Sequence, residues 1–235
     1  MGLNVKVLAK GLDNVGIANA YVLGTLAYGA FGAGGYAMVC AYFVAGTAVT
    51  KLKLAQKEKE GIAEARGGKR TWRSVWGSGA AGAACAALSL LAGEDATAAY
   101  ALGFAACFAS KLGDTTSSEV GKAYGTRTYL STTFREVPRG TEGAVSLEGS
   151  LAGAAAALGL SALSVPLGLA YGPGAALVVF ASAVLANYAE SLLGATVQTK
   201  ASQLGGASAW LTNDVVNVLQ TSLASLLAVL AAPFL

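Results

Sequence analysis

The sequence predicts an all-α fold: a polytopic integral membrane bundle of about seven transmembrane helices, six to seven in all, forming one transmembrane domain over residues 1–235. Three observations predict it. The chain is 54% hydrophobic and only 12% charged, with mean hydropathy +0.56, whereas soluble domains carry about 25% charged residues. Its apolar runs approach the roughly 20 residues that a span requires. The connections between those runs alternate between tight turns and long polar loops, so all the long loops fall on one membrane face. The 31 glycines suit close helix approach in lipid, where packing replaces the hydrophobic drive.

Taken in order, the first 12 residues place Val5, Leu8 and Leu12 at helical spacing, which predicts a short surface helix. Spans are expected at 15–33, 36–52, 75–92, 95–112, 147–170, 174–198 and 213–234, the last opening polar with NDVVN. GAGG (32–35), AGED (92–95) and AYGPG (170–174) read as tight turns. Residues 51–74, 111–146 and 199–212 are long and polar. Every Lys and Arg falls on the long-loop face, with Lys6 and Lys10 joining it across the first span, while the other face carries Glu94 and Asp95. The positive-inside rule makes the long-loop face the cytoplasm-like side, or the stroma in a plastid. One side of the membrane therefore holds the chemistry.

Some chemistries are excluded. There is no histidine, which removes the commonest general base and any His-ligated metal. Cys40, Cys85 and Cys107 are scattered through apolar runs and read as small buried hydrophobes. The start, MGLNVKVLAKGLDN, matches neither a signal peptide nor an Arg- and Ser-rich transit peptide. Lys6 stands where a myristoylation motif wants Ser or Thr. A trimmed organellar precursor is compatible with all of this. GGKR (67–70) and VGKA (120–123) do not fit G-x-x-x-x-G-K-[ST], so a P-loop kinase is excluded.

The polar groups cluster in blocks. KLKLAQKEKE (51–60) reads as the second helix extended into water, with Lys57 and Glu60 able to pair. In GGKRTWRS (67–74), Lys69, Arg70 and Arg73 surround Trp72; the Arg fork suits phosphate, and interfacial anchoring is the alternative. GDTTSSEVGKAYG (113–125) brings Asp114, Thr115, Ser118, Glu119 and Lys122 to the end of the fourth span, and Arg127, Arg135 and Arg139 follow. PRGTEGAVSLEGS (138–150) adds Gly140, Thr141, Glu142, Ser146 and Glu148. Glu148 is expected at or within the fifth span, where a carboxylate is costly and faces the bundle interior. In the sixth span Asn187, Glu190 and Ser191 share a side; in the seventh Asp214 and Asn217 share a face, and Asn213 serves either the site or as an N-cap. Buried Asn also acts as interhelical glue. Carboxylates facing one cavity repel unless a cation sits between them, and oxygen-rich sites without His or Cys suit Mg²⁺. Carboxylates, amides, hydroxyls and Arg/Lys together suit phosphoryl transfer, which asks the protein for positioning and charge neutralisation.

GGKRTWRSVWGSG (67–79), KLGDTTSSEVGKAYG (111–125) and FREVPRGTEGAVSLEGSLAG (134–153), with NYAESLLGA (187–195) and NDVVN (213–217), resemble the phytyl-phosphate kinase family of photosynthetic organisms, part of a wider membrane protein group of archaea and animals. The resemblance spans nearly the whole chain. It implies an enzyme converting phytyl phosphate to phytyl diphosphate with a nucleoside triphosphate, CTP by expectation, for tocopherol and phylloquinone synthesis. It also implies a chloroplast membrane, envelope or thylakoid, or a cyanobacterial inner membrane. On this reading Asp114, Glu119, Glu190 and Asp214 hold Mg²⁺ and orient the triphosphate. Lys122, Arg139 and Arg70 or Arg73 neutralise phosphates; Asp114, Glu119, Lys122 and Arg139 form the catalytic set. Thr115, Ser118, Gly140, Thr141, Glu142, Ser146, Glu148, Asn187, Ser191 and Asn217 bind substrate or nucleotide. Gly153, Ala154 and Ala157 line a groove for the prenyl tail or simply pack helices. The expected partners are a lipid with an isoprenoid tail, a nucleotide and the membrane, with no nucleic acid; self-association stays open. A transporter or lipid carrier is the alternative, since it too needs intramembrane carboxylates and Gly-rich helices, though no inverted repeat is visible. A CDP-headgroup transferase would want a denser Asp signature, and a purely structural role leaves the polar blocks unexplained.

Overall fold

The computed structural model describes residues 5–198 and 212–235. Its helices are α1 Val5–Leu8, α2 Asn14–Thr50, α3 Leu54–Lys59, α4 Trp72–Ala92, α5 Glu94–Tyr124, α6 Leu147–Leu163, α7 Pro173–Leu193 and α8 Asn213–Ala231. Two short strands, β1 Tyr129–Leu130 and β2 Ala144–Val145, pair antiparallel in the loop after α5. Among the described residues, four helical stretches are long and apolar enough to cross a membrane: Asn14–Thr50, Trp72–Ala92, Pro173–Thr196 and Asn213–Phe234. The apolar α6 is shorter, at 17 residues.

α2 is two spans rather than one. Gly32 interrupts it at φ 60°, ψ −151°, a conformation that glycine adopts without a Cβ penalty. The chain then folds back. A Cβ on Gly35 would sit 2.6 Å from the Ala27 carbonyl oxygen, and one on Gly24 would meet the Tyr36 ring at 3.1 Å. In an unbroken helix residues 27 and 35 would stand about 12 Å apart. The spans expected at 15–33 and 36–52 are thus the two arms of a hairpin, and with α4, α5, α6, α7 and α8 they make seven helical segments in the expected order among the described residues. Gly93, at φ 80°, alone separates α4 from α5.

The two ends of the bundle differ as the loop lengths require. At one end the Gly32 turn meets the turn after α6, with Gly34 against the Leu167 carbonyl. At the other end the long connections meet each other. Arg139 donates to Glu60 at 2.8 Å and to the Lys122 carbonyl at 3.2 Å, Lys53 donates to the Ala123 carbonyl at 3.2 Å, and Ser131 donates to the Ser191 carbonyl at 2.9 Å. The N-terminal stretch joins this end: the Arg70 N–H donates to the Gly11 carbonyl at 2.9 Å, and the Asp13 N–H to the Arg70 carbonyl at 3.1 Å. The connection 199–211 lies outside the described residues.

α5 is the axis of the molecule. It packs against α2, α4, α6, α7 and α8, and residues 101–112 are buried on every side, as expected of a helix that is apolar all round. Phe104 stacks near Phe31 and Phe108, each pair at 4.9 Å between ring centroids.

Several expectations are corrected. The fourth span does not end at residue 112; α5 continues through Tyr124, so GDTTSSEVGKAY (113–124) is helix rather than loop and Gly125 caps it. Gly, Ser, Thr and Asp disfavour a helix in isolation. Here they form a tight seam with α6: a Cβ on Gly149 would sit 2.5 Å from the Ser117 carbonyl oxygen, and one on Gly113 3.2 Å from that of Gly153. KLKLAQKEKE is not a solvated extension of the second helix. Lys53 turns the chain at φ 46°, and α3 points Lys57 inward, where it is 1% exposed and pairs with Glu119 instead of Glu60. Glu60 is taken by Arg139. The opening segment forms only one helical turn, and Leu8 and Leu12 are buried in the bundle rather than laid on a surface. α6 ends at Leu163 rather than near 170, ahead of Pro166, which cannot donate a helical hydrogen bond. The N-cap of α8 is Thr212, not Asn213; its hydroxyl accepts from the Val215 N–H.

Candidate functional site

A cavity of about 630 Å³ opens at the long-loop end, walled by the first long connection, α4, α5, the β1–β2 loop, α6, α7 and α8. α5 crosses it with Lys111, Asp114, Thr115, Ser118, Glu119 and Lys122, residues that recur on one side of a helix at spacings of three and four. The first connection supplies Arg66, Lys69 and Arg70; the second supplies Gly140, Thr141 and Glu142, with Ser146 at the start of α6; α7 supplies Asn187, Glu190 and Ser191; α8 supplies Asp214 and Asn217. Blocks scattered through more than a hundred residues of sequence therefore share one wall.

Most of the predicted site residues line this cavity. Three do not. Arg73 stacks over Trp72, 5.5 Å from its centroid, at an exposed corner, which is the anchoring geometry. Arg139 braces the rim through Glu60 and the Lys122 carbonyl. Glu148 sits in the first turn of α6 rather than inside the bundle, accepting from the Thr126 N–H at 3.1 Å and its hydroxyl at 2.6 Å; a carboxylate at a helix N-terminus is favoured by the dipole.

The cavity is organised by a lysine that the sequence reading passed over. Lys111 ion-pairs with Asp114 one turn ahead on α5 and donates to Asn217 Oδ1 on α8 at 2.9 Å. It is 7% exposed. Its 111/114 spacing was the available signal, hidden because Lys111 looks like a cation snorkelling from the end of an apolar span. Beneath it, Ser110, Asn187 and Gln220 hydrogen-bond to one another and tie α5, α7 and α8 together. Asn187 thus serves as glue and as cavity wall at once. The second buried pair, Lys57–Glu119, closes the α3 side; Lys57 also donates to the Thr50 carbonyl at 3.0 Å. Arg70 is fixed by Tyr42, whose hydroxyl lies 3.2 Å from its guanidinium, and Lys122 faces Glu64 at 3.7 Å.

The carboxylates are not equivalent. Asp114 and Glu119 have ammonium partners, whereas Glu190 and Asp214 form no salt bridge among the described residues. Among those residues no three acidic or cysteine side chains converge into a self-sufficient metal cage. Basic groups, carboxylates, hydroxyls and amides share the wall of this one cavity.

Residues 3–225 match the family described as integral membrane protein DUF92. The chain belongs to this family. Among DUF92-related proteins, it is 49% identical over 235 residues to Protein VTE6, chloroplastic, of Arabidopsis thaliana, covering 99% of this chain and 69% of that one. It is 46% identical over 216 residues to an uncharacterized membrane protein of Synechocystis, covering 91% of this chain and 80% of the other. A membrane protein of Methanocaldococcus jannaschii is 27% identical over 220 residues, covering 93% and 85%. No solved structure matches the chain. This DUF92 protein is an integral membrane protein of a chloroplast or cyanobacterial membrane.

Proposed function

We propose that the cavity transfers the terminal phosphoryl group of a nucleoside triphosphate to an isoprenyl monophosphate, phytyl phosphate in the first instance, as a step of vitamin E synthesis. The observation that supports the reading best is the charge pattern of the cavity. Lys111, Lys122 and Arg70 stand beside Asp114, Glu190 and Asp214 at the polar end of a membrane bundle. The similarity to the chloroplast protein and to the phytyl-phosphate kinase motifs points the same way.

In the proposed step a phosphate oxygen of the lipid attacks the γ-phosphorus of the nucleotide. A new P–O bond forms, the bond to the β-phosphate oxygen breaks, and prenyl diphosphate and nucleoside diphosphate leave. The attacking oxygen is already ionised near neutral pH, so no strong base is needed, which agrees with a chain that has no histidine. Lys111, Lys122 and Arg70 neutralise the phosphates and hold them in line. Ser118, Thr115, Asn217 and Ser191 orient oxygens. Two of the carboxylates Glu190, Asp214 and Asp114, together with the substrate phosphates, would hold Mg²⁺, and the ion would supply charge neutralisation. Mg²⁺ is commonly bound through one or two carboxylates plus substrate phosphates, so the donor set fits a cation that arrives on the nucleotide. Glu119, locked to Lys57, positions α3 in this scheme. CTP is the expected donor.

The test is direct. Purified protein in detergent, with phytyl phosphate, Mg²⁺ and each nucleoside triphosphate in turn, should release phytyl diphosphate. Folded protein that turns over none of the nucleotides overturns the reading.

A further inference from the structure

The cavity does not stop at the water-facing end. Along α6 its wall is Ser146, Ser150 and Ala154, spaced four residues apart. Along α7 it is Val184, Asn187, Tyr188, Glu190 and Ser191, of which Val184, Asn187, Tyr188 and Ser191 form the i, i+3, i+4, i+7 stripe of one helix face. That stripe straddles two surroundings. Asn187 is held by Ser110 of α5, while Val184 and Tyr188 are 37% and 58% exposed on the outside of the bundle. Inner wall and outer surface therefore share side chains. The seam between α6 and α7 is looser than either helix's contact with α5, and this slot is lined by Ala154, Val184 and Tyr188.

The slot lies at membrane depth. Helical rise puts Ala154 about 10 Å along α6 from its polar end, and Val184 about 14 Å along α7 from its own. Gly153 and Asn187 both meet Gly113, about 29 Å along α5 from its start, so Ala154 stands at the polar edge of a hydrocarbon layer about 30 Å thick and Val184, a turn before Asn187, stands inside it. The lining also changes character along the way, from Ser146 and Ser150 to Ala154 and Val184.

We propose that the slot between α6 and α7 is a lateral entrance for the hydrocarbon tail of a membrane-dissolved phosphate monoester. This rests on the kinase reading above. The occupant is one lipid whose phosphate meets Lys111 and Lys122 while its chain leaves sideways past Ala154, Val184 and Tyr188. A tail entering from the side never crosses the charged end, and its phosphate never crosses hydrocarbon. Tyr188 suits the mouth, since it is 58% exposed and a tyrosine carries an apolar ring with a polar tip. A water-soluble substrate would have no use for an opening at this depth.

The test uses the full-length protein in lipid vesicles. A phytyl monophosphate analogue with a photoreactive group near the chain terminus should label α6 and α7 around Ala154 and Val184, independently of turnover. Labelling only at other helices, or label that links two copies through this face, overturns the entrance. In parallel, Ala154→Phe and Val184→Trp should lower kcat/KM for phytyl monophosphate about tenfold more than kcat/KM for dimethylallyl monophosphate, the scale of steric discrimination in apolar pockets. Equal turnover of both substrates by wild type and variants also overturns it. If the wild type labels in the slot but turns over no substrate, the kinase reading fails and the entrance stands.

Discussion

Lys111 and Lys57 are each buried beside a carboxylate of α5, yet their roles separate on inspection. Lys111 lines the cavity, whereas Lys57 sits behind it against the Thr50 carbonyl. Lys111→Met should reduce kcat by about a hundredfold or more, the effect of removing one preorganised charge from a transition-state site; unchanged turnover would dismiss Lys111 from phosphate handling. Lys57→Met should act on stability instead, by about 3–5 kcal/mol, because it strands the Glu119 charge in the interior. The double variant Lys57→Met, Glu119→Leu should recover most of that stability. Thermal denaturation in detergent reads it, and a double variant that is stable but inactive would return Glu119 to the chemistry.

At the scale of the helices, the decisive residues are the smallest ones. Gly153 faces the Ser117 hydroxyl, and a Cβ there would sit 2.7 Å from the Gly113 carbonyl oxygen, while Gly159, under two turns further along α6, has nothing within 4 Å. Gly153→Val should therefore cost about 1–3 kcal/mol by overpacking and displace α6 from the site. Gly159→Ala should leave stability unchanged or raise it, since Ala is the better helix former by about 1 kcal/mol. A thermal-shift comparison of the two decides whether the α5–α6 seam is as tight as described. The same seam explains what could and could not be read from sequence. Span order and the polarity of the ends were legible, because apolar runs and loop lengths are one-dimensional signals. The extension of α5 through residues 113–124 was not. Its glycines and hydroxyls are poor helix formers locally, and only the approach of α6, a partner more than twenty residues downstream, makes a helix the better state. The inward turn of Lys57 was hidden for the same reason, since its partner Glu119 lies 62 positions away. For the candidate site, the residue types and their blocks were visible in the sequence, but the ion pairs and hydrogen bonds among them are set by tertiary packing.

Considered whole, the molecule is a polarised body, with turns at one end and charged loops and the cavity at the other. Thr133, in the β1–β2 loop, and Tyr171, in the turn before α7, are both exposed and lie at opposite ends. In sealed vesicles of one orientation, a membrane-impermeant maleimide should modify Thr133→Cys or Tyr171→Cys but never both. Modification of both from the same side would break the assigned topology.

The length of α5 carries a further consequence. Its 31 residues make a rod of about 46 Å, against about 30 Å of hydrocarbon. The surplus is the stretch bearing Asp114, Glu119 and Lys122, so the reactive end stands in the headgroup layer at a height fixed by where the apolar part settles. Acyl-chain length then acts as a regulator. In bilayers thinner or thicker than the native one, tilt and mismatch would lift or sink the cavity relative to the lipid phosphates. Turnover in nanodiscs of graded chain length should pass through a maximum, and a flat profile would show that the height of this rod does not matter.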